Sequence, residues 1–322
     1  MPVMPTECAY MRIKFIKFAK KRMKRNILTL IVLCATLAVR AENKIVLKAE
    51  GKHTYTFVNE SDASFKKSHH ATQKQTIKYS IEPKKIDGKE CVDFQYTAIK
   101  CERKRKDSTT VLDTEKPRLP LSHIMRQATN RGVKVELGQK HLTTGTVAGI
   151  DTIDAHLFDD FVTPPDSVKR VTYNYLINEE YGKNLVRSLI ENALSVAPDS
   201  AVKDKGTWLK VTCRYGTFAG NSATQYTLKE KKGNTYTISG INTIDKTKPC
   251  RYSIGGIAYL LEEANGQIVS DLTLDSETGL LISSSTTISI KAKATPLSMN
   301  ETTDESISDE IVLSIKQTIV KE

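Results

Sequence analysis

The chain has 322 residues, of which 39% are hydrophobic and 26% are charged, with a formal net charge of +11. This length is enough for one large domain or two modest ones with a buried core, and the charged fraction is that of an ordinary soluble protein. Residues 1–41 carry nine of the 48 basic and one of the 37 acidic side chains, so the remainder has a net charge of only about +3. The charge therefore does not indicate a nucleic-acid-binding protein.

The N-terminal segment has the features of an export signal. In residues 23–41, MKRNILTLIVLCATLAVRA, two basic residues precede an apolar run from Ile27 to Val39, and Ala41 is a small residue after which a signal peptidase can cut. A transmembrane helix needs about 20 apolar residues, and this run is shorter. The pattern predicts cleavage after Ala41 and no stable transmembrane anchor.

Composition divides the chain into four segments: an N-terminal extension with the signal peptide, a β-rich half, a half with a helix and a β-meander, and a polar linker with a final strand. Their predicted bounds are 1–41, 42–163, 164–298 and 299–322. Because a signal of ordinary size begins at Met23, we interpret Met23 as the true start, with Met1 as the alternative.

Most of the chain alternates apolar and polar residues with the period of β-strands. The alternating apolar positions are Tyr55 and Phe57; Val92, Phe94, Tyr96 and Ala98; Tyr226 and Leu228; Tyr236, Ile238 and Ile241; Ile268, Leu272 and Leu274; Ile288 and Ile290; and Ile311, Leu313 and Ile315. Turn-forming residues lie between the runs, at Asp87–Gly88, Gly233–Asn234, Asn265–Gly266 and Asp275–Gly279. Turns of this kind predict antiparallel neighbours.

One segment has helical spacing instead. From Glu179 to Val196 the apolar residues recur at intervals of three and four, and Pro198 ends the run. A weaker helix or turn is expected at Leu121–Ala128. The predicted fold class is α+β, mainly antiparallel β, with a large curved sheet or incomplete barrel packed on one main amphipathic helix. We expect this helix to cover the hydrophobic face of the sheet; the alternative is that it lines or gates a cavity beneath the sheet.

Four cysteines remain after the predicted cleavage: Cys91, Cys101, Cys213 and Cys250. An exported protein can form disulfides, and four cysteines allow three pairings that the sequence does not rank. Cys91 and Cys101 lie at the two ends of one predicted strand, roughly 33 Å apart, so we expect that they do not pair with each other. The alternative to disulfides is that all four are small buried apolar side chains.

The sequence contains no pattern typical of a catalytic, metal or nucleotide site. The six histidines lie in polar contexts without a GxSxG motif: His53, His69, His70, His123, His141 and His156. His69 and His70 are adjacent, and neighbouring residues of a strand point to opposite faces, which does not suit chelation.

Two further clusters have ordinary structural interpretations. The acidic cluster Asp151, Asp154, Asp159 and Asp160 lacks the order of an EF-hand and is interpreted as a solvated loop. Gly255–Gly256 lacks the context of a phosphate-binding loop and is interpreted as a bulge or bend in a strand. No catalytic residue, cofactor or metal ligand is predicted.

A basic run ends one of the predicted strands, at Lys100, Arg103, Lys104, Arg105 and Lys106. We interpret it as a solvated strand end. The alternative is contact with acidic lipid head groups.

Several stretches together resemble a known group of proteins. Along the chain, an export signal is followed by the strand GKECVDFQYTAIKC, by the Gly206–Trp208 stretch after the helix and by the turn DSETGL at Asp275–Leu280. In this order the chain resembles a family of exported proteins of unknown function common in Bacteroidota, over nearly all of the predicted mature chain. The resemblance implies no catalytic residues. The expected fold also looks like that of carriers that move lipoproteins and lipids across the periplasm.

The function expected from the sequence is that of a non-enzymatic binding or scaffold module of the cell envelope, exported to the periplasm or envelope, with an unknown envelope partner. The alternative is a periplasmic carrier that holds a lipid or other amphiphile between the sheet and the helix. A structure discriminates between the two, because a pocket for an acyl chain needs about 300 Å³ or more, lined by apolar side chains.

Overall fold

The computed structural model describes residues 43–67, 70–106, 108–129, 131–138, 143–148, 180–214, 220–246, 249–254, 257–297 and 308–322. The chain divides into two compact units, residues 1–42 and residues 43–322, and every described residue belongs to the second. The predictions for Asp151, Asp154, Asp159, Asp160 and Gly255–Gly256 lie outside the described residues.

The described residues form thirteen strands and two helices of eight residues or more. The strands are β1 His53–Phe65, β2 His70–Ile86, β3 Lys89–Arg105, β4 Ser108–Asp113, β5 Gly132–Leu137, β6 Thr143–Ala148, β7 Thr207–Arg214, β8 Gly220–Lys232, β9 Thr235–Lys246, β10 Cys250–Ile254, β11 Ile257–Asp275, β12 Leu281–Pro296 and β13 Asp309–Lys321. The helices are α1 Pro120–Ala128 and α2 Lys183–Leu194. Neither helix of this part of the chain has the length and apolarity needed to cross a membrane.

All thirteen strands belong to one sheet with the order β6-β5-β3-β2-β1-β13-β12-β11-β9-β8-β7. β4 pairs with β3, and β10 pairs with β11. Every pairing between these strands is antiparallel, which confirms the predicted fold class as one large open sheet. The C-terminal strand β13 lies between β12 and the first strand, β1. Pairing between the first and the last strand therefore joins the two halves of the sheet.

One face of the sheet is buried and carries two hydrophobic cores. Along β1, the inward residues Tyr55 and Phe57 belong to the first core, Asn59 and Ser61 are buried polar residues, and Ala63 belongs to the second core. We call the first the helix core, because residues of α1 and α2 complete it. We call the second the strand core, because all of its residues lie on strands. The alternation predicted from sequence therefore identifies one continuous inner face.

The predicted main helix exists and is more buried than a helix that only covers a sheet. α2 contacts β7, β6, β12 and β3. Its apolar face includes Leu185 and Leu189, each 1% exposed. Part of its polar face is buried as well, since Ser188 and Glu191 are 5% and 1% exposed, whereas Lys183 and Asn184 in its first turn are exposed. The shorter helix expected at Leu121–Ala128 is confirmed as α1.

Two positions of the predicted strand pattern are wrong. The pairing of β2 with β3 shifts register at Lys78 and Tyr79, so Ala98 is half-buried and Ile99, at 1% exposure, takes the inward position. Ile241 is 50% exposed and points away from the inner face.

The expected hairpin at Asn265–Gly266 is instead the interior of β11. A Cβ atom at Gly266 would lie 2.1 Å from the carbonyl oxygen of Ser289 on β12. The glycine is therefore needed for the close approach of two backbones and not for a turn.

Candidate functional site

A row of polar side chains crosses the inner face between the two cores. Its members occupy paired positions on five neighbouring strands: Gln75 on β2, Asn59 on β1, Gln317 on β13, Thr286 on β12 and Ser270 on β11. Gln75, Asn59 and Ser270 are at most 6% exposed. We call this set the polar row. It brings together residues from both ends of the described chain, which periodicity alone does not predict.

Hydrogen bonds link neighbouring members of the polar row and also connect residues within α2. Gln317 Nε2 donates to Asn59 Oδ1 at 3.2 Å, and the hydroxyls of Ser270 and Thr286 are 2.9 Å apart. On the helix, Asn192 Nδ2 donates to the carbonyl oxygen of Ser188 at 2.8 Å and lies 3.2 Å from its hydroxyl. Buried polar groups require such partners, because leaving one unpaired costs about 1–3 kcal/mol.

A small cavity separates α2 from the polar row. Its volume is about 30 Å³. The polar lining residues are Ser188, Asn192, Ser270, Ser284, Thr286 and Gln317, and the apolar ones come from both cores. No charged side chain is among the described residues that line it. The space is therefore far below the roughly 300 Å³ of a typical ligand pocket.

A buried ion pair on β3 extends the polar row. The guanidinium of Arg103 donates through Nη2 to Glu180 Oε2 and through Nε to Gln73 Oε1 at 3.2 Å. The side chains of Arg103 and Glu180 are only 10% and 8% exposed. The pair attaches the residues just before α2 to the inner face of the sheet.

Burial dominates the electrostatics of this pair. It raises the pKa of the Glu180 carboxyl, and the attraction of Arg103 only partly offsets the rise. Among the described residues, Glu180 Oε1 has no hydrogen-bond partner, which agrees with a poorly solvated carboxylate. Burial also raises the pKa of the neighbouring Cys101 thiol to about 11, so this thiol stays protonated and unreactive at neutral pH.

The predicted solvated strand end is wrong for one of its residues. Lys100 and Lys104 are exposed, but Arg103 points inward and is paired. The signal was present in the sequence, because Ile99, Cys101 and Arg103 follow one another at the spacing of two that keeps residues on one face. The charge of this basic run does not identify its inward residue, whereas the periodicity does.

The remaining candidates do not assemble into a site. His70 lies 2.9 Å from Asp62 on the exposed surface, and burial together with the charge of Lys321 lowers the pKa of His53. Within the described ranges no three His, Cys, Asp or Glu residues are arranged to hold a metal ion. His69, His141 and His156 lie outside these ranges. Cys91 and Cys101 are buried and not in a disulfide, as expected for this pair.

The outer face of the same strands is divided by charge. Next to the polar row, Lys74, Glu60 and Lys316 form an alternating series on β2, β1 and β13, and Lys74 Nζ donates to Glu60 Oε1 at 2.7 Å. The paired positions continue through Thr287 to aliphatic residues on β11, β9 and β7. These are Val269, Ile241 and Leu209, which are 38%, 50% and 64% exposed. Gln225 of β8 lies between Ile241 and Leu209. Three of the eight paired positions from Lys74 to Leu209 are therefore apolar and accessible.

The DSETGL turn anchors the first described residues. Asp275 Oδ1 accepts hydrogen bonds from the backbone of Glu277 and Thr278 at 3.0 and 2.7 Å, and Gly279 has φ +69°. The carbonyl of Thr278 accepts from the Lys48 amide at 2.8 Å. The turn thus has a structural role.

The stretch after the helix anchors the same segment at its other end. Asn43 pairs with Val202 through two backbone hydrogen bonds, and a Cβ atom at Gly206 would lie 2.5 Å from Val202 Cγ1. Trp208 Nε1 donates to the Val196 carbonyl at 3.0 Å. We call residues 43–50 the strap. Its Ile45 is 5% exposed and belongs to the helix core.

Comparisons with known proteins give one family match. No curated protein matches the chain. A solved structure with some similarity is the COG4313 outer membrane channel from Pseudomonas putida F1, which is 7% identical with a TM-score of 0.23 over 88% of this chain and 100% of that chain. A TM-score this low supports no argument about this protein. The model of a family of unknown function, DUF6263, matches residues 87–281, from the turn before β3 to the start of β12. This match covers more than half of the sequence, and the chain belongs to the DUF6263 family.

Proposed function

We propose that this protein is a non-enzymatic binding or scaffold module of the cell envelope. The observation that carries the proposal is the close packing of α2 on the sheet in the described part of the chain: the cavity between them is about 30 Å³, roughly a tenth of what an acyl chain requires. A protein with such an interior meets its partners through its outer surface. The carrier alternative needs the helix and the inner face to stand apart, and their close packing argues against it.

We further propose that the chain is exported and cleaved after Ala41. The order of charged, apolar and small residues supports this. The boundary between the two units, at residues 42 and 43, also supports it, because cleavage after Ala41 leaves the second unit, residues 43–322, complete. N-terminal sequencing of the exported protein is expected to give Glu42 as the first residue. Recovery of the exported protein with residues 1–41 intact contradicts the proposal for export processing.

The test of the scaffold proposal is a titration with fatty acids of increasing chain length. Trp208 is the single tryptophan and stacks on Tyr226, a cavity-lining residue, with 5.8 Å between ring centroids, so its fluorescence reports on this interior. We expect weak changes that do not depend on chain length. A carrier instead gains about 0.8 kcal/mol of affinity for each CH₂ group buried. Saturable binding that strengthens with chain length therefore rejects the scaffold proposal.

Native mass spectrometry of protein purified from its own envelope provides a second measurement. A scaffold module is expected to carry no lipid at one-to-one stoichiometry after mild detergent removal. A stoichiometric lipid adduct indicates a carrier, even if the titration fails to load the protein.

For the fluorescence titration, the Trp208→Phe variant is the control for changes that arise from the fatty acids alone.

A further inference from the structure

The cavity between α2 and the polar row is lined in a way that specifies its occupant. One wall is the polar face of α2, with Ser188 and Asn192, and the opposite wall is formed by Ser270, Thr286 and Gln317. Apolar residues of both cores also line it, among them Leu189 and Ile315. The cavity thus lies where two polar surfaces face each other inside an apolar surrounding.

Each of these polar groups has more hydrogen-bonding capacity than its protein contacts use. A hydroxyl donates once and accepts twice, and a carboxamide donates twice and accepts through its oxygen. The contacts within the described residues are one hydroxyl pair between Ser270 and Thr286, one bond from Gln317 to Asn59, and the two contacts of Asn192 with Ser188. All of these residues except Asn59 also line the cavity.

Size and charge restrict the chemistry of the occupant. A site needs about 10–15 Å³ of this volume for each water molecule, so 30 Å³ accommodates about two. An ion is disfavoured because none of the described lining residues carries a charge that compensates the loss of its hydration. An apolar guest is disfavoured because six polar side chains would lose hydrogen bonds to water.

We propose that this cavity is an internal hydration site, in which about two ordered water molecules bridge Ser188 and Asn192 of α2 to the polar row of β11, β12 and β13. The waters satisfy the polar face of a helix that the sheet buries on several sides. They also fix the rotation of α2 about its axis, because a rotated helix presents leucine to the same polar wall. The inference does not depend on the proposed envelope function.

The test compares water and xenon occupancy in crystals of the full chain. For the unmodified protein we expect two density peaks within hydrogen-bond distance of both walls, and no xenon in the cavity under xenon pressure. Removing two hydroxyls with Ser270→Ala and Thr286→Val is expected to displace the waters and admit xenon, since apolar cavities stay dry and bind xenon.

Two control variants show that xenon reaches the interior of the protein. Ile124→Ala on α1 and Leu313→Ala on β13 each remove a fully buried aliphatic side chain, and either one is expected to show a xenon peak. If one of them fails to fold, the other provides the control. Xenon in the cavity of the unmodified protein without water peaks overturns the proposal, and so does continuous density for an organic molecule.

Discussion

The helix core and the strand core lie on the same face of one sheet but are closed in different ways. The helix core contains the stacked rings of Tyr55, Tyr79 and Phe94 and is completed by residues of both helices and the strap. The strand core is built from strands alone and contains many small residues: Ala63, Ala71, Ala264, Ala292 and Ala294.

Ring contacts show how the strand core is closed. Phe65 on β1 and Tyr259 on β11 have centroids 5.1 Å apart, although β13 and β12 lie between these strands in the sheet. The sheet therefore curls onto itself at this end, and small side chains suffice. At the other end, residues of both helices complete the core. The polar row and its cavity mark the transition.

The largest expected effect tests the helix core. Leu189 is 1% exposed on α2, and Leu189→Ala should lower the free energy of unfolding by about 2–5 kcal/mol, because it removes buried methyl groups and leaves a cavity. Denaturant unfolding measures this loss. The control is Leu209→Ala at a position that is 64% exposed, where a change within about 0.5 kcal/mol is expected. Equal effects of the two variants contradict the assignment of α2 to the core.

Much of this comparison could be predicted from the sequence. The alternation of Tyr55 and Phe57, or of Ile311, Leu313 and Ile315, identified inward residues, because a strand repeats every two residues. Periodicity does not say which strands are neighbours. The position of β13 between β1 and β12 joins residues more than 240 apart in sequence, and no local pattern encodes that pairing.

The polar row escaped prediction for a related reason. Asn59, Gln75 and Gln317 each lie in an ordinary strand, and polar residues in strands are usually exposed. Only the pairing of five strands places them side by side, and only the curl of the sheet around α2 buries them. Arg103 was detectable by its spacing from Ile99 and Cys101. Its partner Glu180 was not, since it comes from a segment 77 residues later.

The second prediction tests whether the strand core is closed by tight packing. Ala63 is fully buried on β1, and Ala63→Leu should destabilise the protein by about 1–3 kcal/mol through overpacking. Ala98→Leu is the matched control, because Ala98 is only half-buried beside a register shift on β3. Thermal unfolding distinguishes the two. A stabilised Ala63→Leu protein shows that this end of the sheet is loosely packed.

The third prediction concerns the strap that closes the helix core. Gly88 and Gly279 both have positive φ, +78° and +69°, so alanine costs about 1–2 kcal/mol at either position. A Cβ atom at Gly279 would also lie 2.8 Å from the Val46 carbonyl oxygen of the strap, whereas a Cβ atom at Gly88 would have no described heavy atom within 4 Å. Gly279→Ala should therefore be the more destabilising by about 1 kcal/mol. Equal losses indicate that the strap does not pack on this turn.

The fourth prediction compares two tyrosines in the same aromatic series. The Tyr96 hydroxyl donates to the Tyr181 carbonyl at 2.8 Å, so Tyr96→Phe should cost about 1 kcal/mol. The Tyr79 hydroxyl is buried and has no hydrogen-bond partner among the described residues, so Tyr79→Phe should be neutral or slightly stabilising. Chemical unfolding of both variants provides the measurement. A larger loss for Tyr79→Phe points to a polar partner of this hydroxyl.

The last prediction concerns the ion pair between Arg103 and Glu180, which extends the polar row. Because burial raises the pKa of Glu180 in the folded protein, the folded state holds this proton more tightly than the unfolded state does. The resulting stabilisation is fully present below the unfolded pKa, about 4.5, and is lost as the pH rises through the folded pKa. Other carboxylates impose their own pH dependence, so the informative quantity is the difference in unfolding free energy between the unmodified protein and Glu180→Gln.

Glutamine keeps an acceptor for Arg103 but does not titrate. The unmodified protein should therefore be favoured over the variant at acidic pH, and this advantage should shrink as the pH rises towards neutrality. Glu136→Gln is the control, because Glu136 pairs with Lys89 on the accessible surface at 3.4 Å, where ion pairs contribute little. An advantage that instead grows as the pH rises means that Arg103 outweighs burial and holds the Glu180 pKa below its ordinary value. The pair would then stabilise the fold at neutral pH, and together with the polar row it would strengthen the junction between the two cores.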